Sequence, residues 1–226
     1  MKFLFNYTSR SRPDNFFRGM DSIINNLSGK HDFKIVVTLD SDDETMVNDE
    51  VLLKLREYKN TTYYVGVSKN KIDAINRSIP HFPETWDVLI NFSDDMIFTE
   101  KNFDEIIAKD IEEIGDTDCY LHYRDSNHKR IDALSTLHIV GREYFERDCH
   151  VYDPDFISVW CDNWNDDVAK ARGKYHFFDK IIFDHRHCVY NKAPRDAQYE
   201  RTEDRRVYSK DRSTYLRKKK NINQYL

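Results

Sequence analysis

The sequence predicts an α/β fold in which a mostly parallel sheet is flanked by helices, and two observations carry that reading. Short apolar runs rich in β-formers recur at Phe3–Tyr7, Phe33–Leu39, Thr62–Val67 and Trp86–Phe92, and an amphipathic stretch fills each gap between them. Fourteen Phe, fourteen Tyr and three Trp in 226 residues supply bulky core material that disordered chains lack. The βαβαβαβ order implies right-handed crossovers between parallel strands, and open sheets of this kind bind ligands beyond the carboxyl ends of their strands.

The first spacer presents Phe16, Phe17, Met20, Ile23, Ile24 and Leu27 on one helical face, with Pro13 suited to its first turn and Ser28-Gly29 at its end. Val47, Val51, Leu52, Leu55 and Tyr58 mark a second helix. A third runs from Asn70 through Ile72, Ile75 and Ile79 until Pro80 stops it. After the fourth strand, Asn102-x-x-Glu105 reads as a capping box ahead of a face built from Phe103, Ile106, Ile107, Ile111 and Ile114. Beyond residue 118 the alternation becomes irregular. Strands are expected at Cys119–Tyr123, Leu134–Val140 and Lys180–Phe183, with a loop around Val151–Trp164 and a short helix near Asp166–Arg172. One domain over residues 1–200 is expected, in two halves that meet at about residue 118. A basic helical tail follows at 201–226.

Composition excludes several classes. Four Cys without CxxC spacing argue against a zinc ribbon and a disulfide framework, and Cys119-x-x-His122 and Cys149-His150 are weak zinc candidates. No apolar run approaches the roughly 18 residues that span a bilayer, and the opening Phe3–Phe5 run is too short for a signal-peptide core. A cytoplasmic setting is expected. Residues 201–226 carry a net charge of +6 and residues 1–200 carry −11, so a basic tail is attached to an acidic body. Such a tail reads as a solvated helix or as a surface for a phosphate-rich acceptor or an acidic membrane.

The sharpest chemical signal is Ser93-Asp94-Asp95-Met96 where the fourth strand ends. Adjacent carboxylates repel unless a cation or hydrogen bonds compensate them, and Mg²⁺ or Mn²⁺ shared with a diphosphate is an economical compensation. Thr8-Ser9-Arg10-Ser11-Arg12-Pro13 joins a strand to a helix with hydroxyls and guanidinium groups suited to an anion. Asp40, Asp42 and Asp43 end the second strand and suit nucleoside hydroxyls or an amide edge. Asp184-His185-Arg186-His187 offers imidazole to a metal, which would favour Mn²⁺. His185 and His187 are expected to face opposite ways, leaving one for the metal. Neither GxGxxG nor GxxxxGK occurs.

Together these residues resemble a family. Thr8 with Arg12-Pro13, Ser68 to Asn76, Asp87 to Met96, His138-x-x-Gly141-Arg142, Cys161-Asp162, and His185-x-His187 ahead of Asp196-x-x-Tyr199 occur in the order found in family 2-type glycosyltransferases of the GT-A fold, particularly small bacterial and viral members. The resemblance implies a Rossmann-like nucleotide-diphospho-sugar transferase fold, with the nucleotide-sugar half at about 1–118 and the acceptor half at about 119–200. It implies a nucleotide-sugar donor, a UDP-sugar being favoured, and a hydroxyl acceptor on a glycan or a modified nucleic acid. It places Asp95 on Mn²⁺ or Mg²⁺, Asp94 on the metal or the ribose, and His187 or His185 as a late metal ligand. Thr8, Arg10, Arg12, Asp40 and Lys71 would line the donor pocket. Here the DxD motif reads Ser93-Asp94-Asp95, without its first Asp. Asp162 is the expected base of an inverting reaction, in a segment Asp162-Asn163-Trp164 that has Trp where Glu is common; Asp166 and Asp167 are the fallbacks.

Two other readings compete. A sugar-phosphate nucleotidyltransferase would need a glycine-rich loop after the first strand, and no Gly precedes Gly19. A nucleic-acid-binding module would rely on the basic tail and work against the acidic body.

Overall fold

The computed structural model describes residues 1–82, 84–127 and 133–226. The four expected strands are β1 (Lys2–Thr8), β2 (Asp32–Asp40), β3 (Thr61–Gly66) and β4 (Val88–Ser93), all parallel, with β1 between β2 and β4. The crossovers are α1 (Pro13–Asn26), α2 (Asp49–Glu57) and α3 (Lys71–Arg77). Strand alternation divides the core between the two faces of the sheet. Phe3, Phe5 and Tyr7 of β1 join one apolar cluster, and Leu4 joins the other with Val36, Ile72 and Leu89. Gly19 lets α1 lie against β1, because a Cβ there would fall 2.1 Å from the Tyr7 hydroxyl.

After β4 the chain forms β5 (Met96–Phe98) and α4 (Phe103–Ile114), where Phe98 and Phe103 stack with centroids 3.6 Å apart. The capping box at Asn102 is a correction. Asn102 has φ 58° and its side chain caps nothing; its backbone N–H donates to Asn26 O, and Glu105 pairs with Lys30 at 2.6 Å. Asp104 instead receives the backbone N–H and hydroxyl of Ser28, fastening α4 to the end of α1.

The second half completes the same sheet with β6 (Tyr120–Tyr123) and β7 (His138–Gly141), then α5 (Arg142–Glu146), α6 (Cys161–Ala171) and β8 (Tyr175–Phe178). The order is β3-β2-β1-β4-β7-β6-β8, with β7 antiparallel to both neighbours. β9 (Phe183–His185) pairs with β5 in a separate two-stranded ribbon. Three expectations shift here. The strand placed at 180–183 begins at Phe183, the one placed at 134–140 is limited to His138–Gly141, and the helix begins at Cys161, five residues before Asp166.

Two further helices follow, α7 (Ala197–Thr202) and α8 (Arg205–Lys219). The basic helix is not merely solvated. Asp211 is fully buried and accepts backbone N–H groups from Ile157, Ser158 and Val159 at 3.0, 2.8 and 2.9 Å. Lys218, also buried, reaches Asp153 at 2.7 Å.

Candidate active site

The carboxyl ends of β1, β2 and β4 open on a cavity of about 510 Å³, closed on its far side by α6, α7 and the segment after β9. Strand register does the placing: Thr8 lies beside Ser93 on β4 and Thr38 on β2, so the polar residues that follow each strand converge. Asn6 reinforces this by donating to Asn91 and to the Ile75 carbonyl, both at 2.9 Å, which ties β1 to β4 and α3. Asn70 caps α3 by accepting the Asp73 N–H, and Lys71 in the first turn faces the cavity. Ten residues expected to act in the site line this one cavity: Thr8, Arg10, Arg12, Asp40, Lys71, Asp94, Asp95, Asp162, His185 and His187; Asp42, exposed and paired with Arg10, and Asp43, which accepts the Ser11 and Thr45 N–H groups, do not.

Asp94 and Asp95 are both buried, and their surroundings drive them apart. Asp94 accepts from Ser9 Oγ at 2.7 Å and Arg12 Nη1 at 2.9 Å, yet burial and the charge of Asp95 raise its pKa. Asp95 is held well below the usual carboxylate range. Burial opposes this, but His185, Ser93 and Lys71 outweigh it. His185 lies 3.4 Å from Asp95 Oδ2 through Nε2 and 3.4 Å from Asp125 Oδ2 through Nδ1. Burial disfavours its protonation, but those two carboxylates raise its pKa to about 9.

His187 has different company. Its Nε2 is 2.8 Å from Glu203, and the ligand atoms of His187, Cys188 and Glu203 lie within 4.8 Å of one another. His185 and His187 share a side and do not face opposite ways as expected, because strand side chains alternate with a period of two and positions two apart fall on one face. Their rings lie 5.4 Å apart on the same cavity wall.

Arg12 and Arg10 are already partnered. Arg12 bridges Asp94 and Asp196, the latter through two bonds of 2.7 and 2.6 Å, and its guanidinium lies 4.0 Å over the Tyr199 ring. Arg10 spans Asp40 and Asp42. Lys71 and Arg201 also line the cavity, and among the described residues neither forms an ion pair with a carboxylate.

On the opposite wall Asp162 belongs to the first turn of α6. Burial raises its pKa, with the Tyr152 hydrogen bond and the Lys71 charge acting the other way. Asp166 and Asp167 point elsewhere. Asp166 accepts from Tyr120 at 3.0 Å, and Asp167 binds Tyr215 and Lys219 at 2.7 and 2.8 Å. Just before the helix, Trp160 has φ 63°, a conformation that costs a bulky side chain on the order of 1–3 kcal/mol and clusters at functional sites.

Several polar atoms around the cavity lack partners. Thr8 Oγ1, Ser68 Oγ, Ser158 Oγ and Trp160 Nε1 are buried without a hydrogen bond among the described residues. Buried polar groups are nearly always satisfied, so their gathering in one cavity marks a place for a polar ligand. The contribution of α7 was not evident from the sequence. Tyr199, which donates to Asp95 at 3.1 Å, and Asp196 appeared there only as matched residues without a role, and Glu203 and Arg201 gave no signal.

No protein-family profile and no curated protein matches the sequence. Solved structures do match in fold. S. aureus TarS 1–349, solved with UDP, superposes with a TM-score of 0.61 at 14% identity, covering 81% of this chain and 60% of that one. The mannosyltransferase PcManGT from Pyrobaculum calidifontis, solved with GDP-Man and Mn²⁺, gives 0.57 at 12% identity, covering 80% and 54%. A Drosophila β1,4-galactosyltransferase 7 variant, solved with manganese, UDP-Gal and xylobiose, gives 0.57 at 13% identity, covering 90% and 80%. The chain thus spans about three fifths of the TarS structure that it matches. These likenesses establish a GT-A-type fold, the class expected from the sequence.

Proposed function

We propose that this chain, with its GT-A fold, is a divalent-metal-dependent glycosyltransferase that moves a sugar from a nucleotide-sugar donor to an acceptor hydroxyl. One observation carries the reading: the buried Asp94–Asp95 pair ends the central strand β4 beside His185, in a cavity whose wall holds unpartnered polar atoms. Carboxylate oxygen and imidazole nitrogen form a donor set that suits Mn²⁺ or Mg²⁺, so the residues present fit the metal. Asp95 and His185 would hold it, with Asp94 on the metal or the ribose. His187 would be the alternative ligand through its group with Cys188 and Glu203. When bound, the metal would offset negative charge on the departing diphosphate.

The protein's own groups supply the rest. Lys71 faces the same charge from the first turn of α3, a preorganised electrostatic contribution. Thr8, Arg10, Arg12 and Asp40 would frame the nucleoside, with Thr8 Oγ1 free to bond it. Asp162, whose burial raises its pKa toward the operating range of a general base, would take the acceptor proton in an inverting displacement.

The test is thermal stabilisation by UDP and GDP with Mn²⁺, because a ligand that binds only the folded state stabilises in proportion to occupancy. Wild type is expected to gain stability with one of the two nucleotides, and Asp95→Asn to lose that gain while keeping its circular-dichroism spectrum. Equal stabilisation of wild type and Asp95→Asn would reject the assignment. The TarS, PcManGT and galactosyltransferase structures, solved with UDP, GDP-Man or UDP-Gal, support this choice of probes.

A further inference from the structure

Resting on the glycosyl-transfer reading, we propose that the outer face of α8 docks an acceptor whose negative charges repeat along a phosphate backbone and delivers it to the mouth of the cavity. The cations of α8 divide into two sets. Arg217, Lys218 and Lys219 pair with Asp155, Asp153 and Asp167 and hold the helix to the body. Arg205, Arg206, Lys210 and Arg212, with Lys220 just past the helix end, are exposed, and among the described residues none of them forms an ion pair.

This unpaired set stands on a protein whose residues 1–200 carry −11, so it is where a polyanion meets attraction and not repulsion. The helix has 15 residues, about 22 Å at 1.5 Å per residue, long enough to meet several consecutive phosphates. Its amino-terminal end opens on the site. Tyr208 lines the cavity and packs 5.5 Å from Trp160, two residues before Asp162, and Arg201 of α7 lines the same wall. A chain held along α8 is therefore led to the wall that carries the proposed base.

A lipid surface fits less well. A helix that lies in a membrane interface needs an apolar face, whereas the outer face of α8 offers Leu216 among Arg205, Arg212 and Lys220.

The experiment compares wild type with a variant combining Arg205→Gln, Arg206→Gln, Lys210→Gln, Arg212→Gln and Lys220→Gln, none of which lines the cavity. The probes are a short DNA duplex, a single-stranded oligonucleotide, inorganic polyphosphate, and vesicles containing anionic phospholipid. Binding is measured across a salt series, and UDP stabilisation with Mn²⁺ is measured in parallel. Wild type is expected to bind at least one phosphate polymer with an affinity that falls steeply with salt. In the variant the logarithmic slope should become shallower by about 0.9 for each duplex phosphate that is no longer neutralised, or about 0.7 on single strands. Which polymer binds tightest identifies the source of the phosphates. The proposal is overturned if wild type binds no polymer at low salt, if the variant keeps the same affinity and slope, or if only vesicles bind. If wild type binds polymers but gains no stability from UDP or GDP, the glycosyl-transfer reading fails and the acceptor role falls with it.

Discussion

Tyr199 donates its hydroxyl to Asp95 at 3.1 Å across 104 positions of chain, fastening α7 to the carboxylate at the centre of the site. The same ring lies under the Arg12 guanidinium and packs 4.5 Å from His187, so one side chain touches three of the residues singled out from the sequence.

Tyr199→Phe keeps the ring and removes only the hydroxyl. The hydrogen bond it deletes is worth about 1 kcal/mol to the fold. Partners that orient metal ligands typically change metal affinity or activity about 10–100-fold. Titrating Mn²⁺ in the presence of UDP should show a loss in that range, with the melting temperature of the free protein lowered by only about 2–4 °C.

Asp162→Asn removes the proposed base and retains its shape. Turnover should fall by about 10²–10⁴-fold, and nucleotide affinity should stay at the wild-type value. Equal losses in turnover and donor affinity would make Asp162 a binding residue.

The legibility of the chain follows from how local each signal is. The four parallel strands and three crossovers could be read because their residues repeat with strand and helix periods. The carboxylates ending β4 could be read because strand ends are where such sheets bind ligands. The capping box failed because Asn102 is set in the left-handed region by a bond to Asn26, and nothing in the local sequence encodes that partner. β7, β8 and β9 have only three or four residues, too short a period to fix the limits of β7 and β9 or to reveal β8 at all. The roles of Tyr199, Asp196 and Glu203 depend wholly on contacts with distant residues.

His138 gives the fold a pH dependence. It is buried in β7, and burial together with nearby His150 pushes its pKa down to about 3. The unfolded chain takes up a proton near pH 6.5, whereas the folded protein does not. The stabilisation is therefore present above pH 6.5 and lost as pH falls toward 3, at about 1.4 kcal/mol per pH unit. His138→Gln should remove that component; its difference in unfolding free energy from wild type, measured in urea from pH 7 to pH 5, should change with this slope.

Asp211→Ala leaves three backbone N–H groups, one buried and two partly buried, without their acceptor. Each unsatisfied group costs about 1–3 kcal/mol, reduced by whatever water enters. A loss near 3 kcal/mol corresponds to a fall of roughly 6–12 °C in melting temperature for a chain of this size. Differential scanning calorimetry would measure it, and a change under 2 °C would show that the loop holds its shape unaided.

That carboxylate also sets an order on biosynthesis. The segment that turns into α6 finds its acceptor only when residue 211 arrives, after every strand of the sheet has been made. A nascent chain that has not yet released α8 from the ribosome would carry a finished sheet and an unfinished opposite side of the cavity, and would complete that cavity only when the helix emerged.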